Sequence, residues 1–361
     1  MNIAIDCRMS GLSGIGVYLD NIIDQWTNQK NEHTFTLFGE KKNLSRYGRY
    51  SNVRIIETNI DIFSFKELFR FPSKEVNLCD VFYSPFFNIP GGITIPIFST
   101  IHDVVFLDVE ELASKVGTFI RKLALRRAYR ISSSIFTVSE FSKKRIQFHL
   151  GTKKEIVVTY SAINDELKTF QSDAQKYYDF EYILFIGNIK KHKGLDILLK
   201  AYRNSRENGF TPKLVIVGDN KKFKTVDKEI SQMLEEELDS NIVYTGNISN
   251  EKLYIIISQA SLLVQPSVYE GFGLPPLESL YLGCNILLSD IPVFREIYTG
   301  FPVTFFDRNN LTEFSEKIQT CSKLKPVPAD IRQDIDKRYN FYMASNLIWS
   351  QIERIISIKK S

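Results

Sequence analysis

The stretch of this sequence best equipped for chemistry is EGFGLPPLE, in which Glu270 and Glu278 stand either side of Gly271-Phe272-Gly273-Leu274 and two prolines. Carboxylates accept hydrogen bonds from ring hydroxyls. Glycines let the main chain approach a ligand closely, and N–H groups at a helix mouth favour an anion. A second run, Gly187-Asn188-Ile189-Lys190-Lys191-His192-Lys193-Gly194, collects basic side chains at a turn. Lys190, His192 and Lys193 there suit a diphosphate, each charge-assisted hydrogen bond contributing roughly 1.5–3 kcal/mol. The two runs together fit a molecule whose diphosphate is flanked by hydroxyl-rich rings. A third candidate is His102, one of only four histidines, followed by Asp103. An imidazole can hydrogen-bond a sugar hydroxyl or stabilise developing charge, and Asp103 reads as its orienting partner rather than as a base.

The elements that must carry these groups follow from apolar runs of strand length alternating with helical spacing. Ser261–Val264 and Asn285–Leu288 read as strands, joined by a helix that Pro275-Pro276 opens and Gly283 ends. Such a unit is a parallel βαβ crossover, and its ligands gather beyond the carboxyl ends of the strands. Asn2–Asp6 is a first strand, followed by a loop at 7–16 holding Gly14 and Gly16 and by a helix from Val17 to Trp26. This is a Rossmann-like opening with an incomplete dinucleotide fingerprint, since Leu19 stands where a third glycine would fall. Further strands are expected at 34–38, 53–57, 81–84, 96–101, which His102 follows, 134–138 and 156–159. In the second half they fall at 182–186, 214–217, 242–245 and 303–305. Gly187, Gly218-Asp219 and Gly246 follow three of these. Residues 165–180 are polar and unpatterned and suit a link, and 339–358 is an amphipathic final helix.

A chain of 361 residues exceeds one core, so two domains are expected. No apolar run reaches the ~18–20 residues of a membrane span, and MNIAID reads as a strand rather than a signal peptide. Cys7, Cys79, Cys284 and Cys321 are scattered, as expected of reduced thiols in a cytoplasmic protein. Net charge is +4, yet eleven Lys or Arg stand between 115 and 154 against one acid, Glu140. Val116, Phe119, Ile120, Leu123 and Ala124 mark an apolar face on a helix over 115–134. Its basic face suits either solvent or anionic lipid headgroups. No nucleic-acid motif accompanies the patch.

EGFGLPPLE resembles the E-x7-E signature of retaining, GT-B-fold glycosyltransferases of family 4, and the likeness extends from NIAID to the final helix. GIG before Tyr18, His102-Asp103, the VSEFS run at 138–142 and Lys193 before Gly194 each resemble family features. Ser161-Ala162-Ile163-Asn164 departs from the usual Asn-Gly-Ile-Asp, and His192 stands where an arginine is common. The resemblance implies an α/β chain of two Rossmann-like domains facing across a cleft. An acceptor domain would occupy 1–170 and a nucleotide-sugar domain 171–338, with the helix at 339–361 crossing back to the first. It implies transfer of a hexose-type sugar, with retention, to a glycan or lipid-linked glycan, as in surface polysaccharide synthesis. In that scheme His102, Lys193 and Glu270 act at the reacting sugar and diphosphate. Gly14, Gly16, Asp103, Gly187, Lys190, His192, Gly246, Gly271, Phe272, Gly273, Leu274 and Glu278 bind substrate. Neither metal nor cofactor is expected beyond the donor, and the place of action is the cytoplasm or the inner membrane face. Asp334-Ile335-Asp336 spells DxD but lies in a charged helical segment, and no GxxxxGK[ST], HExxH or GxSxG occurs. Same-fold alternatives are a nucleotide-sugar epimerase or a phosphorylase. A non-catalytic nucleotide-sugar sensor is the alternative outside enzymes.

Overall fold

The computed structural model describes every residue except 63, 110, 111, 113, 172–174, 219–240 and 361, so Asp219 lies outside the described residues. The chain forms two compact units. The first comprises Met1–Leu107, Ser114–Asn164 and Tyr339–Ser361, and the second Asp108–Ala113 and Asp165–Arg338.

In the first unit seven strands form one parallel sheet: β1 (Asn2–Asp6), β2 (Thr34–Gly39), β3 (Val53–Glu57), β4 (Val81–Ser84), β5 (Ile97–Thr100), β6 (Ser134–Thr137) and β7 (Ile156–Val158). Their order is β3-β2-β1-β4-β5-β6-β7. Strands such as VFYS and SIFT are buried along their whole length, which is why they read as continuous runs rather than alternating ones. The terminal helix Phe341–Lys360 belongs to this unit, where Trp349 meets Trp26 edge-on at 5.7 Å and Trp26 Nε1 donates to the Ser345 carbonyl at 3.3 Å.

The second unit holds six parallel strands: β8 (Tyr182–Ile186), β9 (Lys213–Val217), β10 (Ile242–Gly246), β11 (Leu262–Gln265), β12 (Ile286–Ser289) and β13 (Val303–Phe306). Their order is β10-β9-β8-β11-β12-β13. In each sheet chain order reverses once, between β1 and β4 and between β8 and β11. Those two switch points are where ligands settle in doubly wound sheets.

Three local expectations change. The first helix begins at Ser13 rather than Val17, so Gly14 and Gly16 lie in its opening turn. Glycine is required at 16 because a Cβ would stand 2.2 Å from the Met9 carbonyl oxygen. The segment 165–180 opens with a helix, Asp165–Thr169, whose Lys168 reaches Asp336 of the DxD run at 3.0 Å. The helix Lys115–Ile131 buries Leu125 and Ala128, while Val116, Phe119, Ile120 and Leu123 are exposed. The apolar stripe read from spacing therefore faces outward: Leu125 and Ala128 seat the helix, and Arg127, on the same side as Ile120 and Leu123, donates to the Ile89 and Pro90 carbonyls.

Candidate active site

The second unit builds its site at the β8/β11 switch point. The chain leaves β8 at Gly187, makes a tight 3-10 turn over Lys191–Lys193, and enters the helix Leu195–Glu207 through Gly194 at φ +71°. A Cβ on Gly194 would lie 2.1 Å from the Pro266 carbonyl oxygen, so this turn packs directly on the loop after β11. Val268 N donates to the His192 carbonyl at 2.7 Å and fastens the two loops again. That fastening places Lys193 Nζ 2.7 and 2.8 Å from the two carboxylate oxygens of Glu270. Ser267 Oγ donates to Glu270 Oε1 at 2.8 Å, while Gln265 Nε2 donates to Ser267 Oγ at 3.1 Å. Ser289 Oγ in turn donates to the Ser267 carbonyl at 2.6 Å. Glu270 is thus aimed by a relay that starts on β11 and β12. Sequence reading missed Ser267, although its place three residues before Glu270 at a strand end was the available signal.

The two basic residues expected to act together at this turn differ in charge. His192 is buried, burial together with the nearby Lys193 ammonium pushes its pKa down to about 4, and its Nδ1 has no hydrogen-bond partner among the described residues. It is neutral at pH 7, so the positive charge of the turn belongs to its lysines. Arg308 lies beside the same loop and donates from Nε to the Pro266 carbonyl at 2.9 Å.

Beyond Glu270, Gly273 adopts φ +94° and leads into the helix Leu274–Tyr281 with Pro275 and Pro276 in its first turn. A Cβ there would meet Phe294 at 2.7 Å, and Tyr298 Oη donates to the Gly273 carbonyl. Phe272 is buried. These contacts hold the Gly271–Leu274 main chain at the helix mouth, where its N–H groups are available to an anion. Glu278 falls in the second turn of this helix. Burial raises its carboxyl pKa to about 7, and it has no ion-pair partner among the described residues. Gly187, Gly218 and Gly246 line up at neighbouring strand ends. Gly187 N donates to Val217 O at 2.9 Å and Gly218 N to Gly246 O at 3.1 Å. A Cβ on Gly218 would stand 1.9 Å from the Gly187 carbonyl oxygen. The described ends of β8, β9 and β10 are therefore glycines beside the turn that carries Lys193.

In the first unit His102 follows β5. Its Nε2 lies 3.0 Å from the Pro85 carbonyl, which only accepts, so Nε2 carries the proton and Nδ1 keeps a lone pair. Burial pushes this pKa down to about 4, leaving a neutral imidazole. Tyr18 meets the ring edge-on at 5.1 Å and hydrogen-bonds Thr159 at 2.7 Å. Asp103 Oδ1 accepts from Val105 N at 3.0 Å and so opens a short helix, while the Pro85 carbonyl orients the imidazole. The loop after β1 also holds a cluster that sequence reading missed. Arg8 forks onto Asp6 at 2.9 and 2.7 Å and reaches Glu67 at 2.8 Å, with Asn88 donating to the other Glu67 oxygen.

Two doubly wound parallel sheets, each with loops gathered at its switch point, define the GT-B class of fold. Anabaena Alr3699/HepE in complex with UDP-glucose shares it at a TM-score of 0.75 and 14% identity, over 98% of this chain and 100% of that one. The lipopolysaccharide outer core galactosyltransferase WaaB in its apo form does so at 0.64 and 18%, over 99% and 100%. Residues 168–338, just under half of the chain, match the family model of glycosyl transferases group 1. O-antigen chain mannosyltransferase RfbU of Salmonella typhimurium is 29% identical over 215 residues, 57% of this chain and 57% of that protein. O-antigen chain mannosyltransferase B of Escherichia coli is 25% identical over 228 residues, 60% and 58%. The chain thus spans under two thirds of the length of these curated relatives.

Proposed function

We propose that this chain is a glycosyltransferase that moves a hexose-type residue from a nucleoside diphosphate sugar to a hydroxyl of a glycan or lipid-linked glycan, with retention at the anomeric carbon. The observation that carries the reading is the Lys193–Glu270 contact at the β8/β11 switch point, inside the segment that matches the family. Its two charges suit the two ends of such a donor. The Lys193 ammonium meets negative charge growing on the departing diphosphate, and the Gly271–Gly273 N–H groups share that charge. Glu270, released from Lys193 by the incoming phosphate and still held by Ser267, accepts from a hydroxyl of the sugar. Glu278 accepts from the ribose. The neutral His102 offers Nδ1 to a sugar hydroxyl. No covalent nucleophile is invoked: the acceptor proton passes to a phosphate oxygen as the glycosidic bond to the diphosphate breaks on the same face. The proposal includes no metal or cofactor beyond the donor. O-antigen relatives support a role in surface polysaccharide assembly and put mannosyl donors first in any screen. No helix among the described residues is long and apolar enough to cross a membrane. Contact with an anionic membrane surface at the inner face of the cell is proposed through the basic segment 115–154.

The test is a thermal-shift screen across UDP-, GDP- and dTDP-sugars, since a ligand that binds the folded state raises its melting temperature. Any stabilising donor is then incubated with and without glycan acceptors. Transfer that needs an acceptor supports the reading. Isomerisation of the donor alone would make the chain an epimerase, and stabilisation without turnover would leave a sensor.

A further inference from the structure

Gly16 lets the first helix close on the Met9 carbonyl, and Tyr18, two residues later, comes to rest against the His102 imidazole. The two rings meet edge to face, with centroids 5.1 Å apart and planes at 88°. Tyr18 is in turn held by its surroundings. Its Oη pairs with Thr159 Oγ1, just beyond β7, at 2.7 Å, and Phe341 of the terminal helix meets its ring edge-on at 5.8 Å. A second buried pair, Tyr83 Oη with Thr100 Oγ1 at 2.7 Å, fixes the end of β5 two residues before His102. Tyr18 is only 1% exposed, which leaves no surface for a ligand.

The imidazole has one hydrogen bond, from Nε2 to the Pro85 carbonyl, and a single bond leaves a ring free to turn about it. A packed aromatic edge stops that turning and excludes water. Burial is the largest influence on the proton affinity of this ring, opposed only by the Pro85 carbonyl. Its titratable neighbours are Tyr18, whose phenol burial keeps protonated, and Asp103, whose Oδ1 accepts from Val105 N. We propose that Tyr18 is a positioning residue: it touches no substrate, and its ring fixes the His102 imidazole so that Nδ1 stays an unprotonated acceptor. The inference rests on the proposed role of His102 toward a sugar hydroxyl. It is tested first on the protein without donor or acceptor, so that either can fail alone.

The measurement is an NMR titration of the full chain that follows the ring protons of its four histidines, with His102 assigned by its loss in His102→Gln. Ring nitrogen shifts report the tautomer. His102 should show one tautomer, protonated at Nε2, and should take up its second proton only at about 4. Tyr18→Leu should admit water and move this uptake toward the ordinary value of about 6.5, giving about tenfold more imidazolium at pH 5. Tyr18→Phe keeps the ring and should stay within about twofold of the wild type. Phe341→Leu loosens the Tyr18 ring, should raise imidazolium about threefold, and decides the matter if Tyr18→Leu does not fold. In transfer assays kcat of Tyr18→Leu should fall about 10–100-fold while donor KM moves less than about twofold, because a misplaced His102 is felt in the transition state. Wild-type imidazolium levels in Tyr18→Leu, or in Phe341→Leu where that alone folds, would overturn the proposal. So would a mixture of tautomers in the wild type, a Tyr18→Phe chain as disturbed as Tyr18→Leu, or a change in donor KM without one in kcat. Absence of transfer beside the expected titration would sink the role of His102 in chemistry and leave Tyr18 as the residue that positions it.

Discussion

Both switch points carry a basic side chain locked to carboxylates, and the two locks differ in how they are sealed. In the first unit Arg8, Asp6 and Glu67 are 3%, 0% and 4% exposed, and the guanidinium lies 4.9 Å over the Phe71 ring. In the second, Lys193 and Glu270 keep 19% and 11% of their side-chain surface, and glycines surround them. A sealed network of charges serves to fix two loops. A pair that still touches water and has no aromatic cover is one that an anion can divide. The first lock is therefore assigned to architecture and the second to chemistry.

The largest effect should come from breaking the sealed lock. Arg8→Met leaves two buried carboxylates without their cation and is expected to cost about 3–5 kcal/mol of stability. Urea unfolding measures this directly, and a loss under 1 kcal/mol would show that Asp6 and Glu67 had simply taken up protons at little cost. Donor binding by the folded fraction should be unchanged. Lys193→Met should invert that pattern. Stability should move by no more than about 1 kcal/mol, since the pair is partly solvated and Ser267 still serves Glu270. Transfer should fall about 10²–10³-fold, the usual effect of deleting one donor to developing charge. If Lys193→Met unfolded the protein and Arg8→Met abolished donor binding, the two assignments would have to be exchanged.

Strand positions were legible to within a residue or so, because buried parallel strands are short unbroken apolar runs. Glu270, Lys193 and the glycines between were legible for a different reason: they sit where strands end, and an α/β sheet gives strand ends to ligands. What could not be read is whatever depends on which neighbour arrives. His192 and Lys193 are adjacent in a basic turn, yet one is buried and neutral while the other meets Glu270. Periodicity on the helix Lys115–Ile131 identified an apolar face but not its direction, because Leu125 and Ala128 seat the helix instead. The Arg8 network joins residues 6, 8, 67 and 88, a long-range set that no spacing announces.

The smallest expected effect is also the one that separates Glu278 from the rest of the site. Its pKa is raised by burial from 4.5 to about 7, so the free protein holds a proton there that the unfolded chain releases at lower pH. Stability from this group is complete below pH 4.5 and is lost as pH rises toward 7. Donor affinity should run the other way, because only the carboxylate accepts two ribose hydroxyls. A group with a pKa near 7 is about one tenth ionised at pH 6 and nine tenths at pH 8, so affinity should improve by up to tenfold across that interval. His192 is held near 4, and the diphosphate of a nucleotide sugar, esterified at both ends, has no proton to lose in that range. Glu278→Gln should flatten the affinity profile and, by removing a buried charge, stabilise the free protein at pH 8. Affinity that still rises with pH in the glutamine variant would place the titrating group elsewhere and leave Glu278 as a packing residue of its helix.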